Sequence, residues 1–155
     1  MLDARRTGAA IAAAVDELVR IWRSARGAAR PGVFPGLLDG VVEPFLRSAG
    51  NALAAGEPPL GPWPRTSGLV RLDPRDVDAS VREIEAEWDL LVEVLRASCE
   101  ALDSEPSAFD WLEKAVATAR AGAPALRDRA ARPVGIAIAW VWSGVAPSRR
   151  RDRSP

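Results

Sequence analysis

Glu83 and Glu87 stand four residues apart, a spacing that puts two carboxylates on one face of a helix. Carboxylate pairs of this kind hold metal ions in helical bundles, but those centres also need a Glu-x-x-His on facing helices. The chain has no histidine. Histidine is the usual general base near neutral pH and the commonest metal ligand. Its absence excludes Ser-His and Cys-His dyads, His-ligated zinc or di-iron centres and His-ligated haem. Glu83 and Glu87 are therefore expected on a solvated acidic face. The single thiol, Cys99, lies beside Leu95 and Leu102 near a helix C-terminus, with Glu100 and Asp103 close by. A reactive cysteine needs nearby cations or a helix N-terminus, so Cys99 is expected to be buried and inert. Tyrosine is absent and Lys114 is the one lysine. No motif arranges the remaining carboxylates, arginines and hydroxyls. The expectation is a protein without catalytic residues, metal or cofactor, one that binds rather than converts.

The apolar residues that must position everything else recur at helical spacing. Over residues 3–28, Ile11, Val15, Leu18, Trp22 and Ala25 make one stripe, and Gly27 and Pro31-Gly32 end it. Arg20, Arg23 and Arg26 fall largely off that stripe. A second helix is expected over 36–55, carried by Leu38, Val41, Val42, Phe45, Ala49 and Leu53. Pro44 lies inside it and predicts a kink or a break, and Gly50 weakens its second half. Residues 56–72 are a long proline-rich connection with Trp63 in its first half, and Gly68 to Leu72 is an extended or single-turn piece. The third helix, 74–103, is the central one. Asp73 caps it, Pro74 takes its first position, and Val77, Val81, Ile84, Trp88, Leu91, Leu95 and Leu102 line it. Its outer side is read as Glu83, Glu87, Asp89, Glu93 and Glu100. A fourth helix, 108–122, starts from Ser107 as its cap.

The last apolar run, Val134 to Val145, is ambiguous. Ile138, Trp140 and Trp142 alternate as in a strand, yet a lone strand has no partner here, so a helix apolar nearly all round is expected. The fold is then an all-α, single helical bundle of about five helices over residues 1–147, with a long proline-rich loop between helices two and three. Residues 148–155 form a disordered basic tail.

The net charge is zero, but it is segregated. Residues 1–72 carry 9 basic and 6 acidic side chains, 73–113 carry 3 and 13, and 114–155 carry 9 and 2. The favoured reading packs the acidic segment beside the basic ones. The alternative presents an acidic face to partners. Four arginines in the tail, with no aromatic platform or groove-entering motif, speak against nucleic acid. No run reaches the ~20 apolar residues of a membrane span, and no signal peptide is evident. One cysteine forms no internal disulfide, so the expected location is cytoplasmic.

Two sets of residues are candidates for binding. Trp22, Phe45, Trp63, Trp88 and Leu91 wall a pocket for a small apolar ligand, with Trp63 as its lid. The plainer reading makes the tryptophans core packing and Trp63 a staple for the loop. Ile138, Trp140, Val141 and Trp142 are anchors for a protein interface, balanced against burial in the chain's own core.

Three stretches carry a family resemblance. Ile21-Trp22, then Pro35-Gly36-Leu37-Leu38-Asp39-Gly40-Val41-Val42, then Val81 through Leu91 resemble the N-terminal helical sensor domain of RsbR-type co-antagonists and related sensor kinases. The similarity spans roughly residues 10–103. It implies a ligand- or partner-sensing bundle, often dimeric and normally fused to a signalling domain. Nothing after residue 103 reads as a kinase or sulfate-transporter-like output domain. The resemblance therefore implies a stand-alone sensor that works as a homo-oligomer or on a signalling protein partner, with no catalytic residues to transfer.

Overall fold

In the computed structural model, which describes residues 1–30, 36–59, 66–71, 77–121 and 137–142, five helices form an all-α bundle and two short strands form an accompanying ribbon. Trp63 and the 148–155 tail lie outside the described residues.

The predicted first helix is two. α1 runs Ala4–Ala13 and α2 Val15–Ala29, joined at Ala14 with φ −99° and ψ 15°. The Asp3 carboxylate accepts the Arg6 amide at 2.8 Å and starts α1. Asp16 and Glu17 then sit in the first turn of α2, where acidic groups suit exposed amides. The bend has a packing reason. α1 lies chiefly along the helix Val42–Ala55, whereas α2 turns onto the helix Val77–Ala101, and one straight helix does not serve both.

α3, Val42–Ala55, begins six residues later than the sequence suggests. Residues 36–41 are turns, closed by the Val41 and Val42 amides on the Leu38 carbonyl at 2.9 and 3.1 Å. Pro44 therefore falls in the first helical turn, where no intrahelical amide bond is lost, and the expected mid-helix break is absent. Gly56, at φ 75°, ends α3 in a left-handed cap, with the Gly56 amide on Leu53 and the Glu57 amide on Ala52.

The seam between α1 and α3 is backbone against backbone. A Cβ on Gly8 would stand 2.8 Å from the Gly50 carbonyl oxygen, and one on Gly50 would stand 2.7 Å from the Ala12 amide nitrogen. Gly50 is a point of closest approach rather than a weak spot in its helix.

α4, Val77–Ala101, is the longest helix, and its end repeats the left-handed cap with Asp103 at φ 50° in place of glycine. α5 is Pro106–Arg120. Glu105 precedes it and Pro106 occupies its first turn, so Ser107 is inside the helix and does not cap it. The Ser107 hydroxyl donates to the Glu105 carboxylate, which also accepts the Ala4 amide at 2.9 Å. The chain start is hooked onto the same turn by the Leu2 amide on Asp103 O and the Glu105 amide on Leu2 O.

The core holds Trp22, Trp88, Phe45, Leu38, Leu46, Ile84, Leu91, Leu95 and Leu112, all fully buried. The last apolar run corrects the helix expectation. Ala137–Trp142 is strand β2, antiparallel to β1, Thr66–Arg71, in the register Thr66↔Trp142 to Arg71↔Ala137. The partner strand comes from the Gly68–Leu72 region, read from sequence as extended or a single turn. Once it is present, the two-residue alternation of Ile138, Trp140 and Trp142 prevails.

Candidate functional site

The least expected feature is a group of charges inside the bundle. Arg26 is 2% exposed and Glu87 2% exposed. Arg26 leaves α2 and places its guanidinium 4.8 Å from the Trp22 ring centroid. Its Nη1 and Nη2 donate to the two Asp39 carboxylate oxygens at 2.9 and 3.3 Å. Arg23 Nε adds a bond to Asp39 at 3.0 Å, and the Gly36 amide another at 2.7 Å. Glu87, from α4, accepts the Leu37 and Leu38 amides at 3.0 and 2.8 Å. The 36–41 turn is thus clamped between two helices by two carboxylates. Glycine at 36 leaves room for the cluster, because a Cβ there would stand 2.8 Å from Glu87 Oε1 and would have to displace the Arg26 guanidinium.

The two carboxylates titrate in opposite directions. Burial pushes Glu87 up from the ordinary 4.5, and Glu83 adds to the rise, against the two amide bonds and Arg26. Burial also pushes Asp39 up. The hydrogen bonds from Arg26 and Arg23, with the Arg26 charge and the Gly36 amide, outweigh it and hold Asp39 below 3.8. Asp39 and Glu87 together hold the Gly36, Leu37 and Leu38 amides, which fixes the turn that leads into α3.

Sequence reasoning placed Arg26 off the apolar stripe and Glu87 on the outer face, and both assignments are corrected here. The signal was present. Arg26 follows Trp22 by four residues, and Glu87 sits between Ile84 and Leu91 at core spacing. Asp39 lies three residues after Gly36, the separation of an amide-capping turn.

The predicted aromatic residues do meet. Trp22, Phe45, Trp88 and Leu91 are each at most 1% exposed, and Phe45 and Trp88 pack edge to face, centroids 5.2 Å apart at 74°. Trp22 Nε1 donates to the Glu87 carbonyl at 3.0 Å. The concavities between α4 and α5, at the α4–α5 turn and along α3 are lined by other side chains. Ile138, Trp140, Val141 and Trp142 all fall on β2. Cys99 is 5% exposed, and burial pushes its thiol above the ordinary 9.0, as expected of an inert cysteine.

One concavity was not foreseen. A groove of about 650 Å³ runs between α4 and α5. Its floor is apolar, formed by Ala86, Leu90, Val92 and Val116. Leu90 and Val92 are partly exposed there, while Val116 closes the bottom. Asp89, Glu93 and Glu113 edge it. Arg120 spans one end and pairs with Asp89 at 2.6 Å. Arg96 stands at the other, 3.7 Å from Glu93 and over the Phe109 ring at 5.1 Å. Glu113 has no ion pair among the described residues, and neither do the exposed Glu85, Glu100 and Asp110. The Arg120 guanidinium and the N-terminal ammonium do meet carboxylates of the acidic segment, Asp89 at 2.6 Å and Asp103 at 2.9 Å, so part of the segregated charge is paired within the fold.

Among the described residues, no group of three or more potential ligands is placed to hold a metal, and no helix is long and apolar enough to cross a membrane. Compared with known proteins, the chain matches no family model, no curated protein and no solved structure.

Proposed function

We propose that this chain is a non-enzymatic regulatory or sensory module that acts through protein contacts, with the α4–α5 face as its contact surface. The observation that supports this is the groove itself. Most large apolar side chains of the described residues are buried; Met1 and Ile21 are exposed, and Leu37, Leu102, Phe109 and Trp111 are partly exposed. Between α4 and α5, Leu90 and Val92 are left partly open in a concave site with unpaired acid beside them. Concave apolar surfaces edged by charge are where proteins meet partners. The resemblance to RsbR-type sensor domains agrees with this reading and adds a homodimer, for which Ile138, Trp140, Val141 and Trp142 are the proposed anchors.

The test is position-dependent photo-crosslinking of the full chain in its own cells. A photoreactive residue at Val92 is expected to give a discrete protein adduct, identified by mass spectrometry. The same residue at Ala28, on the exposed side of α2, is expected to give none. Equal labelling from both positions, or none from either, would sink the contact-surface reading. Light scattering tests the dimer separately: twice the 16.6 kDa chain mass is expected, falling to one chain in Trp140→Arg.

A further inference from the structure

We infer that the α4–α5 groove receives a basic amphipathic helix from a partner protein, an inference that rests on the contact surface proposed above.

Length and shape favour a helix. Residues 86 to 96 of α4 bound the groove on one side, a span of about 15 Å at 1.5 Å per residue. That accommodates two to three turns, and so anchors at positions i, i+3 or i+4, and i+7. The walls are two helices whose ridges leave a furrow, the arrangement into which a third helix packs. An extended peptide gains affinity by pairing with a sheet edge, and the groove walls are helical.

Charge selects the partner's sign. Residues 77–121 carry 11 acidic and 4 basic side chains. The two arginines of the groove are already engaged, Arg120 with Asp89 and Arg96 with Glu93 and Phe109. Glu113 is left without an ion pair among the described residues at the edge, and Glu85, Glu100 and Asp110 are exposed on the same two helices. An acidic helix would set like charges together at this edge, which costs affinity. A second copy meeting face to face through this surface would do the same, because a two-fold contact sets a patch against itself. Lysines and arginines flanking an apolar stripe fit both the floor and the edge.

The probe is a fluorescein-labelled designed helical peptide, about two to three turns in contact, with leucines at the anchor spacing and arginine and lysine elsewhere. Its control keeps the leucines and replaces every cation with glutamate. Anisotropy against the full chain is expected to show binding of the basic peptide alone, weakened about tenfold by moderate salt. Glu113→Arg, at an exposed position, is expected to leave the melting temperature unchanged and weaken binding about tenfold. Val92→Arg should abolish it. Equal binding of the acidic control, or no loss in Glu113→Arg, overturns the inference. If the basic peptide does not bind while the Val92 crosslink stays position-dependent, the partner chemistry is wrong and the contact surface stands. If both fail, both are wrong. A dimer that Glu113→Arg splits would put a second copy in the groove and also overturn the inference.

Discussion

The α1–α3 seam and the α4–α5 seam are both helix pairs, yet one is shut and the other open. Along α1 and α3 the facing residues are Gly8, Ala12, Gly50 and Ala54, and the backbones touch. Between α4 and α5, Leu90, Val92 and Val116 line a furrow of about 650 Å³. Small residues let helices meet closely and leave nothing to bind, whereas larger ones leave space that the chain's own side chains only partly fill. The closed seam is where structure is made, and the open one is where a partner has room.

Leucine substitutions separate the two seams most strongly. Gly50→Leu drives a side chain into the Ala12 backbone and is expected to cost at least ~4 kcal/mol or abolish folding, since backbone cannot step aside as a rotamer does. Ala117→Leu, on the furrow wall, is expected to stay within ~0.5 kcal/mol of the parent. Urea unfolding of both variants measures the contrast, and equal costs would erase it.

Next in size is the charge cluster that fastens the turn before α3. Arg26→Ala leaves Asp39 without its bidentate partner, and unfolding should show a loss of ~3–5 kcal/mol. Gly36→Ala tests the same place through volume and is expected to displace the Arg26 guanidinium, at a cost of ~1–3 kcal/mol.

Smaller effects come from pH, and they carry opposite signs. The folded pKa of Glu87 lies above 4.5, so its contribution is present below that value and is lost as pH rises through the folded pKa. Asp39 lies below 3.8, so its contribution is present above that value and is lost as pH falls through the folded pKa. Glu87→Gln should therefore cost less at pH 7 than at pH 4, and Asp39→Asn more at pH 7 than near pH 3. Thermal melts across that range decide. Parallel profiles would mean that the two carboxylates do not differ in environment as described.

Much of the helical body was legible in advance. The α4 stripe from Val81 through Leu95 lies within a helix as expected, and the glycine that stops α3 is Gly56, the start of the expected connection. Three features depend on partners distant in sequence. The start of α3, and with it the place of Pro44 in its first turn, is set by the Leu38 carbonyl and the Glu87 carboxylate. Ala137–Trp142 is a strand because Thr66–Arg71 pairs with it. Arg26 and Glu87 are buried because Asp39 and the Leu37 and Leu38 amides meet them.

What the sequence determined by itself is the set of amphipathic segments. Apolar residues at three- and four-residue spacing have one economical way to leave water, and that follows from local geometry alone. The tertiary structure decided where buried charges are tolerated and which seam stays open. Arg26 is satisfied by a carboxylate 13 residues on, and Glu87 by amides 49 and 50 residues away. A buried charge is stable only when such partners arrive together, and only the assembled fold brings them.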